Sequence, residues 1–291
     1  MSRHPEWIRV RAPNPSEADG IREMRDLLQR HRLTTVCQGA VCPNAVECWG
    51  ARTATFMLLG DLCTRACRFC GVATGDPGGV VDRDEPERLA AAVGELGLRY
   101  VVLTSVDRDD LADGGSEIFA ASVDRLKAGV GGIRAELLLP DFQGDRSALD
   151  RLLATRADVF GHNVETVRRL SPKWRDRRAG YEQSLAVLAV LSQRGEKRKV
   201  KSGLMVGMGE TRREVLETLS DLRDAGVDIV TVGQYLRPNR SAAPVERYVP
   251  PAEFDGIAAE AEGMGFGAVI AGPLVRSSYH ALRAYAESCA S

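Results

Sequence analysis

Six of the seven cysteines of this chain, Cys37, Cys42, Cys48, Cys63, Cys67 and Cys70, fall between positions 37 and 70, and only Cys289 lies elsewhere. So dense a set of thiols limits what the chain can be. A disulfide framework normally serves a small secreted domain without a sufficient core of its own. At 291 residues, 44% of them hydrophobic, this chain has the length for one large core, and α/β barrels reach this size undivided. Metal ligation in a reducing compartment is the better reading. The formal net charge of −1 offers no basic field to gather phosphates, which argues against a nucleic-acid partner. Residues 1–10 hold no apolar stretch of the secretory kind. No run approaches the roughly 18 apolar residues of a membrane span. The expected location is the cytoplasm, with no membrane partner.

After the cysteines the sequence repeats a strand–loop–helix pattern. Short apolar runs at Thr55–Leu59, Tyr100–Thr104, Ile133–Leu139, Asp158–Phe160, Val200–Val206, Ile229–Val232 and Ala268–Ala271 read as parallel strands buried on both faces. Between them lie helical stripes. Ile21, Met24, Leu27 and Leu28 mark a helix near Ser16–Arg32. Tyr181, Leu185 and Leu188 mark another, and Val215, Leu219 and Leu222 a third that ends at Gly226. Asp84 is a candidate cap, with Pro86 in the first turn and Glu87 at the capping-box position. The fold class expected is α/β, a full or partial parallel β/α (TIM-like) barrel, with a doubly wound open sheet as the alternative.

Cys63, Cys67 and Cys70 make C-x3-C-x2-C directly after the first of these strands, at the barrel end where active sites of this architecture lie. Three thiolates can hold three irons of a [4Fe–4S] cube and leave the fourth open, as reactive rather than structural metal sites do. With Phe69 before the last cysteine, this spacing resembles the radical S-adenosylmethionine superfamily. The resemblance implies that S-adenosylmethionine chelates the open iron and is cleaved to a 5′-deoxyadenosyl radical. A zinc knuckle is the competing reading; it wants a fourth ligand, and no histidine lies between His31 and His162.

A second trio, Cys37, Cys42 and Cys48, has the spacing C-x4-C-x5-C, a soft-ligand set lacking one member, for which Cys289 is one candidate. The two trios stand beside further motifs: Arg83-Asp84-Glu85-Pro86, Arg108-Asp109-Asp110-Leu111, Asp113-Gly114-Gly115, Pro140-Asp141-Phe142, His162-Asn163-Val164-Glu165-Thr166, Gly207-Met208-Gly209-Glu210, Gln234-Tyr235-Leu236-Arg237-Pro238 and Arg276-Ser277-Ser278-Tyr279. Together, from about Trp7 to Tyr285, they resemble the lipoyl synthase family. That resemblance implies an auxiliary [4Fe–4S] cluster on Cys37, Cys42, Cys48 and the first serine of the last motif, Ser277. An alkoxide is a harder ligand than thiolate and holds iron less firmly, which suits a cluster that gives up sulfur. Without the resemblance, Ser277 and Ser278 read as helix caps before Tyr279–Glu287. The implied division is 1–52 as an extension with the auxiliary cysteines, 53–272 as the barrel core, and 273–291 as the extension with the serine ligand.

The implied activity is a sulfurtransferase that inserts two sulfur atoms at carbons 6 and 8 of a protein-bound octanoyl-lysine. Its carriers are octanoylated lipoyl-domain proteins, namely the glycine-cleavage carrier protein and the acyltransferase subunits of 2-oxoacid dehydrogenases. An electron donor such as a flavodoxin or ferredoxin, and an iron–sulfur carrier protein, complete the implied partners. No side chain needs to act as acid, base or nucleophile in forming the C–S bonds, since unactivated C–H bonds require a radical cofactor. Phe69, Asn163 and Gly207 are the candidate S-adenosylmethionine contacts. His162 reads equally as a buried hydrogen-bonding group, the glycines at 207 and 209 as a strand-to-helix turn, and Asp113-Gly114-Gly115 as a turn. Cys289 reads as a free thiol near a frayed end. Lys173, Arg175, Arg177 and Arg178, with Arg168 and Arg169 nearby, form a basic run: either a solvated loop or a docking patch for an acidic carrier domain. The competing activities are a biotin-synthase-like sulfur insertion on a free small molecule and a zinc-binding structural role.

Overall fold

A computed structural model describes residues 4–9, 13–36, 42, 44–50, 54–193, 195 and 197–290. The chain divides into two compact units, each taken by itself below. One comprises Ala12–Ala66 and Gly71–Phe160, and the other Met1–Arg11, Cys67–Cys70 and Gly161–Ser291.

In the first unit the apolar runs form strands β2 (Thr55–Leu58), β5 (Tyr100–Ser105) and β6 (Arg134–Leu138), with β7 (Val159–Gly161) beginning at its last residues. β2, β5 and β6 pair in parallel, Phe56 opposite Leu103 and Leu103 opposite Leu137. A two-residue strand β1 (Thr34–Thr35) adds antiparallel to β2 and was not legible as a strand. Helices Glu85–Leu96, Ser116–Gly129 and Arg146–Leu153 cover the sheet. Leu89, Val93, Phe119, Val123 and Leu126 are fully buried, as are Val101, Leu103 and Leu137 of the strands. Each such side chain contributes roughly 1.5–3 kcal/mol through removal from water. Helix Pro15–Arg30 precedes them, opened by a capping box between Asn14 and Glu17.

The expected cap at Asp84 is not formed. Asp84 has helical backbone angles (φ −92°, ψ −5°), so its carboxylate does not reach the first-turn N–H groups. Asp82 accepts from the Asp84 N–H at 3.0 Å instead, and Glu85 turns inward to accept from the Leu59 N–H at 2.9 Å.

In the second unit β8 (Lys199–Val206), β9 (Ile229–Gln234) and β10 (Ala268–Gly272) are parallel, with Ile229 opposite both Lys201 and Ala268. Helices Tyr181–Leu191, Arg212–Asp224, Pro251–Gly263 and Ala281–Ala290 accompany them. Thr211 and Glu214 close a capping box on the second of these. The last helix begins at Ala281, so Ser277 and Ser278 lie in a turn ahead of it; Cys289 is a free, exposed thiol in its final turn. Among the described residues, no helix is long and apolar enough to cross a membrane.

Candidate active site

Beyond β2 the chain leaves the sheet through Leu59 and Gly60, both at positive φ (66° and 87°), and forms β3 (Leu62–Cys63). Cys63 pairs in parallel with Thr74 of β4 (Ala73–Thr74), and its carbonyl accepts from the Gly75 N–H at 2.9 Å. The Thr64 N–H reaches the Asp107 carbonyl, beyond the end of β5, at 3.0 Å. The Arg65 N–H points back at the Cys63 Sγ, 3.4 Å away. The first thiol of the trio is therefore fixed at the C-terminal ends of β2 and β5.

In the other unit, the Asp176 N–H donates to the Cys67 Sγ at 3.2 Å, and the Cys70 N–H to the Cys67 carbonyl at 3.0 Å. Arg68 between them is held by its backbone at both ends. Its N–H donates to the Trp174 carbonyl (2.8 Å), and its carbonyl accepts from the Ala243 N–H (2.7 Å). Cys67 and Phe69 are half-buried and Cys70 is exposed. Burial pushes the Tyr235 phenol up to about 12; Arg237 opposes the rise and Cys70 adds to it.

The donor set fits an iron–sulfur cube. None of the three thiols is in a disulfide, and two of the sulfurs accept backbone N–H groups, the hydrogen bonds by which proteins tune such clusters. Among the described residues, no three or more His, Cys, Asp or Glu side chains gather as around a single metal ion. A cube spreads its thiolates over three irons, so they stand farther apart than the ligands of a single ion.

Strand ends of the second unit place the other candidates. His162 is buried with its Nε2 2.8 Å from the Ser184 Oγ, the structural role anticipated as an alternative. Asn163 is half-buried and hydrogen-bonded to the Glu165 carboxyl, whose pKa is raised by desolvation against the pull of Arg175 and Asn163. Gly207 has φ +95°, and a Cβ there would lie 2.1 Å from the Gln234 Nε2 and 2.4 Å from the Arg247 carbonyl oxygen. Only glycine fits this turn. Its N–H donates to Glu210 and its carbonyl accepts from Glu246, so the protein itself uses both polar groups.

Known proteins with this sequence pattern settle the family. The Radical SAM superfamily model matches residues 57–233. A lipoyl synthase of Thermus thermophilus is 52% identical over 98% of this chain and 87% of its own length. One from Pyrobaculum arsenaticum is 54% identical over 97% of this chain and 94% of its own. The chain belongs to the lipoyl synthase family. Lipoyl synthases are radical S-adenosylmethionine enzymes, and membership implies a [4Fe–4S] cluster and S-adenosylmethionine. Solved structures show the fold: the hydrogenase maturase HydG from Carboxydothermus hydrogenoformans superposes with a TM-score of 0.59 at 14% identity, over 94% of this chain and 70% of that one. Streptococcus suis SuiB bound to S-adenosylmethionine gives 0.57 at 10% identity, over 78% of this chain and 54% of that one. This is the partial β/α barrel class expected from the sequence.

The lipoyl synthase motifs of the second trio are placed as follows. Cys37 lies outside the described residues. Cys42 and Cys48 are half-buried in the first unit, Cys48 in the short helix Ala45–Gly50 with its N–H on the Asn44 carbonyl (2.9 Å). Ser277 is half-buried in the second unit. Its turn is fixed on the end of β9, where Arg276 Nη1 donates to the Gln234 carbonyl at 3.2 Å.

The basic run divides, with Lys173 and Arg177 exposed and the other members buried or ion-paired. Arg175 is buried, donating to the Ser184 Oγ at 2.7 Å, because it closes the space beneath the loop rather than facing water. Arg178 pairs with Asp176, Arg168 with Asp221, and Arg169 with Glu214. Sequence reasoning also missed Arg65 and its partners Asp107, Asp109 and Asp141. Two of these stood in the recognised motifs without a role. The available signal was a cluster of acids just past strand ends in an apolar frame.

Proposed function

We propose that this lipoyl synthase family member inserts two sulfur atoms, at carbons 6 and 8 of an octanoyl-lysine on a lipoyl-domain protein. The observation that carries the reading is the union of both cysteine trios and the Arg276–Tyr279 motif in one chain, at more than half identity to lipoyl synthases over nearly full length. Cys63, Cys67 and Cys70 hold the radical-generating cluster. Cys37, Cys42, Cys48 and Ser277 hold the auxiliary one, the sulfur source. When bound, the first cluster and S-adenosylmethionine supply the hydrogen-abstracting radical that unactivated C–H bonds require.

The chain's own residues bind and orient. Phe69 and Asn163 are assigned as S-adenosylmethionine contacts, and Gly207 as a close-packed wall with no free polar group of its own. The functional division is 1–52, 53–272 and 273–291, with the outer segments serving the auxiliary cluster. Partners are the octanoylated glycine-cleavage carrier protein and 2-oxoacid dehydrogenase acyltransferases, a flavodoxin or ferredoxin donor, and an iron–sulfur carrier protein. A cytoplasmic location follows from the need for reduced thiols.

The test is anaerobic reconstitution with iron and sulfide, followed by mass spectrometry of an octanoyl-lysine peptide given S-adenosylmethionine and a reductant. Cys37→Ala should cleave S-adenosylmethionine yet insert no sulfur, and Cys63→Ala should do neither. Normal insertion by Cys37→Ala would remove the division of labour. Bound zinc without acid-labile sulfide would remove the enzyme reading. Turnover of free octanoate but not of the peptide would favour the biotin-synthase-like alternative.

A further inference from the structure

Arg65 lies in the loop between Cys63 and Cys67, yet its side chain is only 2% exposed. It points away from the thiols into a nest of three aspartates, all in the first unit. Asp109 grips it in a fork, Oδ2 to Nε at 2.8 Å and Oδ1 to Nη2 at 2.7 Å. Asp141, whose side chain is wholly buried, makes a second fork, Oδ2 to Nη1 at 2.9 Å and Oδ1 to Nη2 at 2.8 Å. Asp107 completes the ring, Oδ1 to Nη1 at 3.3 Å. The other oxygen of Asp107 lies 3.9 Å from the Cys63 Sγ. The Arg65 backbone N–H meets the same sulfur at 3.4 Å.

Two carboxylate forks on one guanidinium exceed what fixing a loop requires, and they leave the node with more negative than positive charge. Placed beside a thiolate, an unneutralised Asp107 would repel added electrons at an anionic cluster. Arg65 sits where it offsets that charge. We propose that Arg65 is a positioning residue for the radical cluster: it fixes the Cys63 sulfur through its own N–H and, by offsetting part of the negative charge at Asp107, keeps the cluster reducible. Lysine could supply the charge but not the two forks. The inference rests on the assignment of Cys63 as a cluster ligand.

The test uses the full chain, reconstituted anaerobically, with the radical cluster identified as the reduced [4Fe–4S] electron-paramagnetic-resonance signal that changes on adding S-adenosylmethionine. Its midpoint potential is titrated in the wild type, Arg65→Gln, Arg65→Lys and Asp107→Asn, alongside iron and sulfide per chain. Arg65→Gln should move the potential to more negative values. Asp107→Asn should move it the opposite way. Arg65→Lys should stay near the wild-type potential while losing part of its cluster content. Asp107→Asn keeps the test open if Arg65→Gln fails to fold, because Asp107 is 24% exposed and its amide is nearly the same shape. Shifts of the same sign in Gln and Asn variants, or an unmoved potential with the clusters intact, would overturn the proposal. A wild type without such a signal would instead overturn the assignment of Cys63.

Discussion

At its Cys63 end the cysteine loop is fastened by backbone bonds at Cys63 and Thr64 and, beyond these, by side-chain charge, through Arg65 and three aspartates. At its Cys67–Cys70 end it is fastened by backbone, through N–H groups to the Trp174 carbonyl and the Cys67 sulfur and from Ala243 to Arg68. The Arg68 side chain only lies over the Trp174 ring, its guanidinium carbon 5.2 Å from the centroid. The two methods have different weaknesses. A charge clamp fails when one ion is removed and its partners stay buried. A backbone clamp tolerates side-chain changes and fails only when the chain path itself is blocked.

The largest effect should come from breaking the charge clamp. Asp141→Ala leaves the Nη1 and Nη2 groups of Arg65 each short of one acceptor in a fully buried place, and the cost is about 1–3 kcal/mol for each. A denaturant midpoint measured on the purified chain should fall accordingly, and an unchanged midpoint would mean that water replaces the carboxylate freely. Next comes blocking the chain path of the second unit. Gly207→Ala forces a methyl against Gln234 and Arg247 at positive φ, for about 2–3 kcal/mol by the same measurement. Arg68→Ala should cost only about 0.5–1 kcal/mol, the worth of an exposed cation–π contact, and should leave iron content unchanged. A large loss of iron there would show that side chains, not backbone, hold this end.

The smallest effect is set by pH. The Glu214 carboxyl is held down to about 2, chiefly by the Arg169 guanidinium and then by the Thr211 N–H. A depressed carboxylate contributes stability above its ordinary pKa and loses it as protonation sets in. The contribution should therefore fade between about pH 4.5 and 2. Because the Arg169 side chain is 56% exposed, screening limits it to less than about 1 kcal/mol. Comparing acid unfolding of wild type and Glu214→Gln checks this, the variant being expected to lack that part of the slope.

How far the sequence shows these features follows from the range of the forces. The long parallel strands were legible because both faces are buried, so apolar runs such as Val101–Leu103 and Val230–Val232 mark them directly. The strands β1, β3 and β4 were not legible, since two residues carry no periodicity. The cap at Asp84 was misread because Asp82 and Glu85 compete for the same turn. Arg175 was read as surface charge because charge runs usually are, whereas here a hydroxyl and carbonyls from distant positions enclose it. The pairing of Arg65 with its acids was hidden for the same reason, since they stand 42, 44 and 76 residues downstream, although acids just past strand ends hinted at a site. Cysteine spacing, by contrast, is local and was read directly.

In the proposed function, the trio at Cys37, Cys42 and Cys48, with Ser277, holds the sulfur that is given away. The most direct measurement reconstitutes the protein with heavy-isotope sulfide, replaces all free sulfide with the light isotope, and weighs the peptide product of a single turnover. The account predicts a lipoyl group in which both sulfur atoms carry the heavy isotope. A lipoyl group built with light sulfur from solution would contradict it.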